Sequence, residues 1–351
     1  MAERIRLDKP TRTPAGEAGA SASGISRSTR ASRWAVGPGV VGLAVLAYLP
    51  YLVGPNSTTT LVSFFIYLTL GMTWNLLAGY AGLVSVGQQA YIGVGAYATL
   101  WLAQHGVEPF VALPIAAVFC AVVAFPLSWL VFRLRGGYFA IGTWVVAEVL
   151  ALLTIRDASL GGGTGTNVPG LDGFDPVVLG AITYWAALAV AVVTLAGCYL
   201  VLRSRVGLAL TAVRDDETAA RAVGVLVPRA KRIVYLVAAL GAGAAGALLA
   251  ISQLNVQPNN VYGVQWSAYM IFVVLIGGIG TLEGPIIGTV VFFVLQQTLA
   301  DRGAWYLIIL GSLAVVMAVW VRRGLWGLLD RWGLRLFPVG YRLIGGRSGR
   351  T

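Results

Sequence analysis

The chain has 351 residues, 58% of them apolar and only 11% charged, with a mean hydropathy of +0.79. About a quarter of the residues in an average soluble domain are charged, so this composition excludes an ordinary soluble enzyme or binding module. Apolar runs of roughly 20 residues, each long enough to cross a ~30 Å hydrocarbon core, recur along the whole length. The ~10-residue alternating segments of a membrane β-barrel are absent. The expected fold is all-α, a polytopic transmembrane helical bundle.

The formal net charge of +11 comes in blocks. Seven of the 25 Lys and Arg residues precede Trp34, Arg133 and Arg135 stand together, seven fall within 203–232, and seven follow Val321. Cytoplasmic loops of membrane proteins are enriched in such residues. With all four clusters in the cytoplasm, both termini lie there too, and the chain is a multi-pass protein of a bacterial-type plasma membrane. The charge then reports orientation and attraction to lipid headgroups, and no nucleic-acid partner is expected.

In chain order, residues 1–33 are rich in Ser, Thr, Ala, Gly and Arg, have little to bury, and read as a disordered basic cytoplasmic tail. The membrane domain covers 34–325, and 326–351 form a second basic tail. About ten spans are expected, at about 35–53, 60–78, 88–104, 110–132, 138–155, 177–202, 233–251, 266–276, 285–299 and 304–321. That number puts every basic cluster on one side; the short third and eighth runs are compatible with re-entrant segments. Tyr51, Trp101, Tyr184 and Trp320, near span ends, fit interfacial anchoring. Cys120 and Cys198 fall inside apolar spans, as small buried residues rather than a disulfide or metal pair. His105 is the single histidine, at an outer loop edge without an acidic or thiol set, and Ser85 has no base near it in sequence. No catalytic residue, cofactor or metal site is expected on this chain.

Two glycine-dense turns echo each other, GYAGLVSVG after the second span and GGIGTLEG after the eighth, both on the inner side. Interrupted hydrophobic segments in corresponding places point to a transporter's pathway. Glycine permits positive φ and close backbone approach, which lets broken helices line a polar path; close helix packing explains glycine equally well. Candidate pathway residues are Gly82, Ser85, Gln88, Gln89, Tyr138, Glu148, Gly278 and Gly280. Glu148 is the lone carboxylate well inside a span, where a charge is costly. It faces a water-filled interior, is protonated, or serves as a structural hydrogen-bonding residue.

The segment RSRVGLALTAVRDDETAARAVGVLVPRAKR, 203–232, is too charged for a bilayer and too regularly patterned for a linker. Glu217, Ala220 and Gly224 fall at i, i+3 and i+7, one helical stripe. Asp215, Asp216 and Glu217 suit a helix N-terminus. Ala219, Ala220 and Gly224 offer small surfaces that another chain can approach, rimmed by Arg214, Asp215, Asp216, Glu217 and Arg221. A helix–turn–helix seated in a partner's groove and an ordinary solvated loop fit these residues equally.

RSRVGLALTAVRDDETAARAVGV resembles the coupling loop of M-type (LivM-type) permease subunits in the branched-chain amino acid ABC importer family. That loop follows the pattern Glu-Ala-Ala, three residues, Gly; Thr218 replaces the first alanine, while Ala219, Ala220 and Gly224 match. GYAGLVSVGQQAYIGVGAYATLWL resembles the family's first signature at Gly79, Gly82, Ser85, Gly87, Gly93, Gly95, Ala96 and Tyr97, with Gln88 where many relatives carry His. GGTGTNVPGL resembles its outer glycine loop and GGIGTLEGPIIG its late glycine motif, so the resemblance spans about residues 60 to 325. It implies a non-enzymatic permease subunit that couples to two separate ATP-binding subunits, which use the ATP. It further implies an H-type permease partner and an extracytoplasmic solute-binding protein. A urea or short-amide importer permease shares these features, and a stand-alone secondary transporter is the other reading of the composition.

Overall fold

The computed structural model describes residues 24–26, 30–171, 173–299, 304–321, 324–329, 337 and 342–344. The chain is built from α1 (Arg30–Tyr48), α2 (Pro55–Asn75), α3 (Gln89–Gln104), α4 (Pro109–Val131), α5 (Gly137–Arg156) and α6 (Pro176–Arg203). Two short helices follow, α7 (Arg205–Asp215) and α8 (Glu217–Ala222), then α9 (Val227–Gln253), α10 (Pro258–Val261), α11 (Gln265–Gly277), α12 (Glu283–Leu299), α13 (Ala304–Trp320) and α14 (Gly324–Leu329). Their starts are written locally. Pro55, Pro109, Pro176 and Pro258 take the first helical position, where a missing N–H costs nothing. Asp175 and Ser204 cap α6 and α7 by accepting from Val177 N at 2.8 Å and Val206 N at 3.1 Å, which satisfies donors that the helix leaves open.

Helix α9 is the centre of the bundle. Its strongest packing is against α4 and α3, then α2 and α6. In the apolar windows of α9 and α2, 78% and 83% of residues are buried, against 22% for α5, which sits at the edge on α3. The middle of α9 reads AALGAGAAGALLA, so its surface is mostly methyl groups and bare Cα atoms. A Cβ on Gly246 would overlap the Ile92 carbonyl of α3, and one on Gly95 of α3 would overlap the Gly243 carbonyl of α9. On the α4 side, a Cβ on Gly243 would come within 2.5 Å of Cys120 Sγ. Without a hydrophobic drive between helices in lipid, such small-residue contact is what holds them.

Among the described residues, six helices are long and apolar enough to cross a bilayer: Asn56–Tyr80, Pro109–Val131, Gly137–Arg156, Pro176–Arg203, Val227–Gln253 and Pro258–Gly277. Gly37–Tyr51, Glu283–Leu299 and Ile308–Met317 are apolar but shorter. The expected count of about ten spans is therefore not reached on length and composition. The third expected span, about 88–104, forms as α3, whose 16 residues fall short of a full crossing.

The all-α expectation also gains two small antiparallel ladders. β2 (Thr166–Asn167) pairs with β3 (Asn255–Val256), joining the two expected outer loops, while β1 (Gly24–Ser26) pairs with β4 (Arg342–Ile344), joining the two tails. Most of 1–33 and of 326–351 lies outside the described residues, and so does the expectation of disorder in 1–33. Both cysteines are buried and free. Tyr51, Trp101 and Trp320 are exposed, as interfacial anchors require, but Tyr184 is buried, and its hydroxyl donates to the Leu46 carbonyl at 2.7 Å, tying α6 to α1.

Gly246→Ala is expected to lower the thermal midpoint of the detergent-purified chain, since overpacking a fitted interface costs about 1–3 kcal/mol. Gly197→Ala on α6, whose Cβ would meet nothing within 4 Å, is expected to be neutral or to stabilise by up to about 1 kcal/mol. Equal midpoints for the two variants would refute glycine-set spacing.

Candidate functional site: the inner junction and the cytoplasmic loop

At the inner end of α2, Leu76–Tyr80 widen into a π-helical turn, a departure from the regular ladder that recurs at functional sites. Gly82, at φ +67°, then reverses the chain, and residues 82–88 climb back beside α2 without forming a helix. Side chains hold this stretch from three directions. Trp74 Nε1 donates to the Ser85 carbonyl at 2.8 Å, and Val86 N donates to Thr143 Oγ1 of α5 at 3.3 Å. Ser267 Oγ of α11 bonds the Val86 carbonyl at 3.0 Å and also Gln89 Oε1. Gly87 lies against the Thr143 carbonyl with no room for a Cβ. Backbone out of helix at membrane depth has no water to bond, so protein groups must serve it. Gln88 and Gln89 are fully buried at the start of α3; neither end of the Gln88 amide, nor Gln89 Nε2, has a partner among the described residues.

The second glycine turn meets the first. Asn75, one residue before the π turn, donates from Nδ2 to the Thr281 carbonyl at 2.7 Å and accepts at Oδ1 from Gly280 N at 2.8 Å. A Cβ on Gly79 would stand 2.6 Å from Gly280 N. Gly278 and Gly280 hold φ of 129° and 77°, conformations that other residues rarely adopt. The two echoing motifs of the sequence are thus one contact. Arg214 of α7 closes it: Nη1 donates to the Gly79 carbonyl at 2.9 Å and would lie 3.1 Å from a Cβ on Gly280.

The 203–232 loop is a small folded unit. Val213, Ala220 and Val227 form a separate buried cluster, flanked by Ala212 and Val225. Asp216 caps α8 by accepting from Thr218 N at 2.7 Å and Ala219 N at 3.0 Å, the N-terminal role expected of the acidic run. Gly224, at φ +87°, ends it. Glu217 bridges Arg221 at 2.6 Å and Lys231 at 2.7 Å, clamping α8 to α9. The hydrogen bond from Lys231, with help from Arg221, holds the Glu217 carboxyl below its ordinary range despite partial burial.

Not every expected residue stands where the stripe put it. Ala220, expected on the partner-facing surface, is turned into the loop's own core, and Arg214 reaches toward the membrane domain. Asp215, Ala219 and Gly224 stay exposed. Val223 and Leu226, 79% and 58% exposed, supply the apolar tip that the sequence reading missed. Their signal was present: two aliphatic residues flanking a glycine break inside a charged segment.

Among the pathway candidates, Gly82, Ser85, Gln88 and Gln89 lie along the stretch between α2 and α3, and Gly278 and Gly280 in the glycine turn that meets the end of α2. Tyr138 and Glu148 do not join them. Tyr138 is 76% exposed, and Glu148 lies on the outward face of α5, accepting from Trp144 Nε1 at 2.9 Å. Thr143 points inward from the same helix, so Glu148, five residues on, faces away from the subunit's interior.

Residues 56–319 match the family model described as branched-chain amino acid transport system, permease component. The chain belongs to that family. It is 30% identical over 82% of its length to the high-affinity branched-chain amino acid transport system permease protein LivM of Escherichia coli K12, covering 74% of that protein. The probable branched-chain amino acid transport permease LivM of Methanocaldococcus jannaschii is 23% identical, over 69% of this chain and 80% of the relative. The fructose import permease FruG of Bifidobacterium longum is 26% identical, over 73% and 79%. No solved structure matches. The protein is a membrane permease component of a branched-chain amino acid ABC transport system, built on apolar helices long enough to cross a membrane.

Asp216→Ala is expected to cost the loop about 1 kcal/mol of helix stability, read as faster amide exchange over 217–222 with the spans unchanged. Lowering the pH has the same sign. A carboxyl with a depressed folded pKa stabilises above its unfolded value of about 4.3 and loses that contribution as pH falls through the folded one. Proteolysis within 217–232 should therefore accelerate below pH 4 in the wild type, and the Glu217→Gln variant should show no such acid step.

Proposed function

We propose that this chain is one of two permease subunits in an ATP-driven importer of branched-chain amino acids, with its 203–232 loop seated on a separate ATP-binding subunit. An H-type permease completes the pore, a second ATP-binding subunit completes the motor, and an extracytoplasmic binding protein delivers the solute. The single observation that carries docking is the loop's construction. A capped, ion-paired unit with its own small core presents two bare aliphatic side chains, Val223 and Leu226, on either side of Gly224. Exposed apolar residues on an otherwise charged segment mark a contact surface. No Walker A sequence occurs in the chain, so ATP belongs to the partners and no cofactor is assigned to this subunit.

Coupling runs through Arg214. ATP-driven closure of the motor displaces the loop, and the guanidinium passes the displacement to the Gly79–Gly280 junction, where two helix reversals share one amide clasp. Both reversals contain glycines at positive φ, so the junction can rearrange without dragging a Cβ through backbone. The spans then move from inward-open to outward-open. The positive-inside rule supports a cytoplasmic position for the basic clusters and, with them, for both termini.

Glu148 supports a path along the exposed face of α5, shared with the second permease. A carboxylate near the middle of a span costs about 2.5–3.5 kcal/mol when inserted into lipid. A water-filled passage between two permeases removes that cost. The path needs no tight solute site, because selectivity can reside in the binding protein; the names of the relatives, amino acid and fructose permeases alike, fit a common pore served by different solutes.

Val223→Asp and Gly224→Trp are expected to abolish uptake of labelled leucine and to remove the ATP-binding subunits from the affinity-purified complex, with membrane insertion intact. Normal uptake in both would sink the docking assignment. Arg214→Ala should keep the subunits assembled while uptake falls at least tenfold; an unchanged rate would show that coupling bypasses this contact. Uptake of labelled urea in place of leucine would replace the solute assignment and leave the architecture standing.

A further inference from the structure

Where the start of α9 packs on the end of α4, one cation has no ion pair among the described residues. Arg232 is the last charged residue before the apolar stretch of α9, and its guanidinium lies 5.4 Å from the ring centroids of both Phe125 and Trp129 on α4. Its Nε is buried and has no acceptor. The ion pairs among the described residues engage Arg214, Arg221 and Lys231, and none engages Arg232. Neighbouring Lys231, which could have shared a carboxylate, is already committed to Glu217.

Helical repeat adds two more arginines. Arg229 precedes Arg232 by three residues, on the same side of α9, and Arg133 follows Trp129 by four, just past the end of α4. Both are exposed, and neither is ion-paired among the described residues. Arg232 sits on the aromatic shelf, with Arg229 and Arg133 near it in sequence at the adjoining ends of two packed helices, and cations so placed favour an anion beside them. The shelf indicates which anion. Phe125 and Trp129 are 42% and 55% exposed and continue an outward stripe through Val122 and Val118, at the i, i+4, i+7 spacing of one helix face. A ligand that fits carries negative charge at the membrane surface and an apolar tail running inward from it.

We propose that Arg232, Arg229 and Arg133 bind the phosphate of an anionic phospholipid, whose acyl chain lies along Trp129, Phe125, Val122 and Val118. The aromatic rings hold the guanidinium by cation–π attraction, fixing its flat face so that its free edge meets the phosphate. Basic pockets between helices on the cytoplasmic side bind anionic headgroups in this manner. This assignment does not depend on the transport reaction or on the docking loop.

Lipid exchange into nanodiscs, followed by native mass spectrometry of the released full-length chain, tests it with phosphatidylglycerol against phosphatidylcholine. The wild type is expected to retain phosphatidylglycerol preferentially. Arg232→Gln should weaken retention about fivefold, the equivalent of ~1 kcal/mol per arginine near an anionic surface. Arg232→Lys should recover part of it, keeping the charge but losing the stacked plane, while Trp129→Leu should weaken it without changing any charge. Arg156→Gln, on the opposite side of the bundle, should leave it unchanged. Equal retention of the two lipids overturns the proposal, as does wild-type retention in both Arg232→Gln and Trp129→Leu. Displacement by soluble glycerol phosphate at the same concentration would assign the site to a free phosphate instead. Cross-linking from a cysteine at 125 to a copurifying permease would assign the face to protein and likewise overturn the lipid reading. Should Arg232→Gln fail to fold, Trp129→Leu decides the matter.

Discussion

Helices α3 and α9 touch backbone to backbone, and the rest of the bundle is arranged around that approach. Gly95 and Gly246 give each helix a place where the other's carbonyl rests in the space of a missing side chain. In water such a contact would add little to the burial of larger groups. In lipid, where tails are as apolar as leucine, packing and close approach do the holding. Because α9 is so thin through its middle, α3, α4, α2 and α6 can all lie against it. A bulkier α9 would push at least one of them out to the lipid.

That tight centre frees the inner end of α2 to be irregular. The π turn, the reversal at Gly82 and the non-helical climb to Gln88 would be prohibitive beside lipid, yet here Trp74, Thr143 and Ser267 meet the exposed backbone groups. Asn75 contributes the one contact that spans the two glycine turns, and its amide suits the task because it offers a donor and an acceptor side by side. The junction is therefore ordered by hydrogen bonds and unobstructed by side chains, a combination that suits a place where helices shift.

The cytoplasmic loop follows the opposite plan. Its rigidity is local, from a cap, a two-armed ion pair and three buried side chains. It meets the membrane domain through Leu210, buried in the main core, and through Arg214 at the glycine junction.

The membrane character, the helical 203–232 segment and the Asp216 cap were legible in the sequence, because apolar run length and capping residues act over a few neighbouring positions. The glycine echo was visible as a pattern, but not as a contact; that Gly79 and Gly280 meet depends on how α2 and α11 pack. The inward turn of Ala220 was hidden for the same reason, since a stripe of small residues looks alike whether it faces a partner or its own loop. Helical periodicity could place Glu148 within a span but could not choose which side of α5 would be covered. Local chemistry thus determined what each segment could be, and only the tertiary structure decided which faces met, because burial is set by what lies across the interface and not by the residues beside it in the chain.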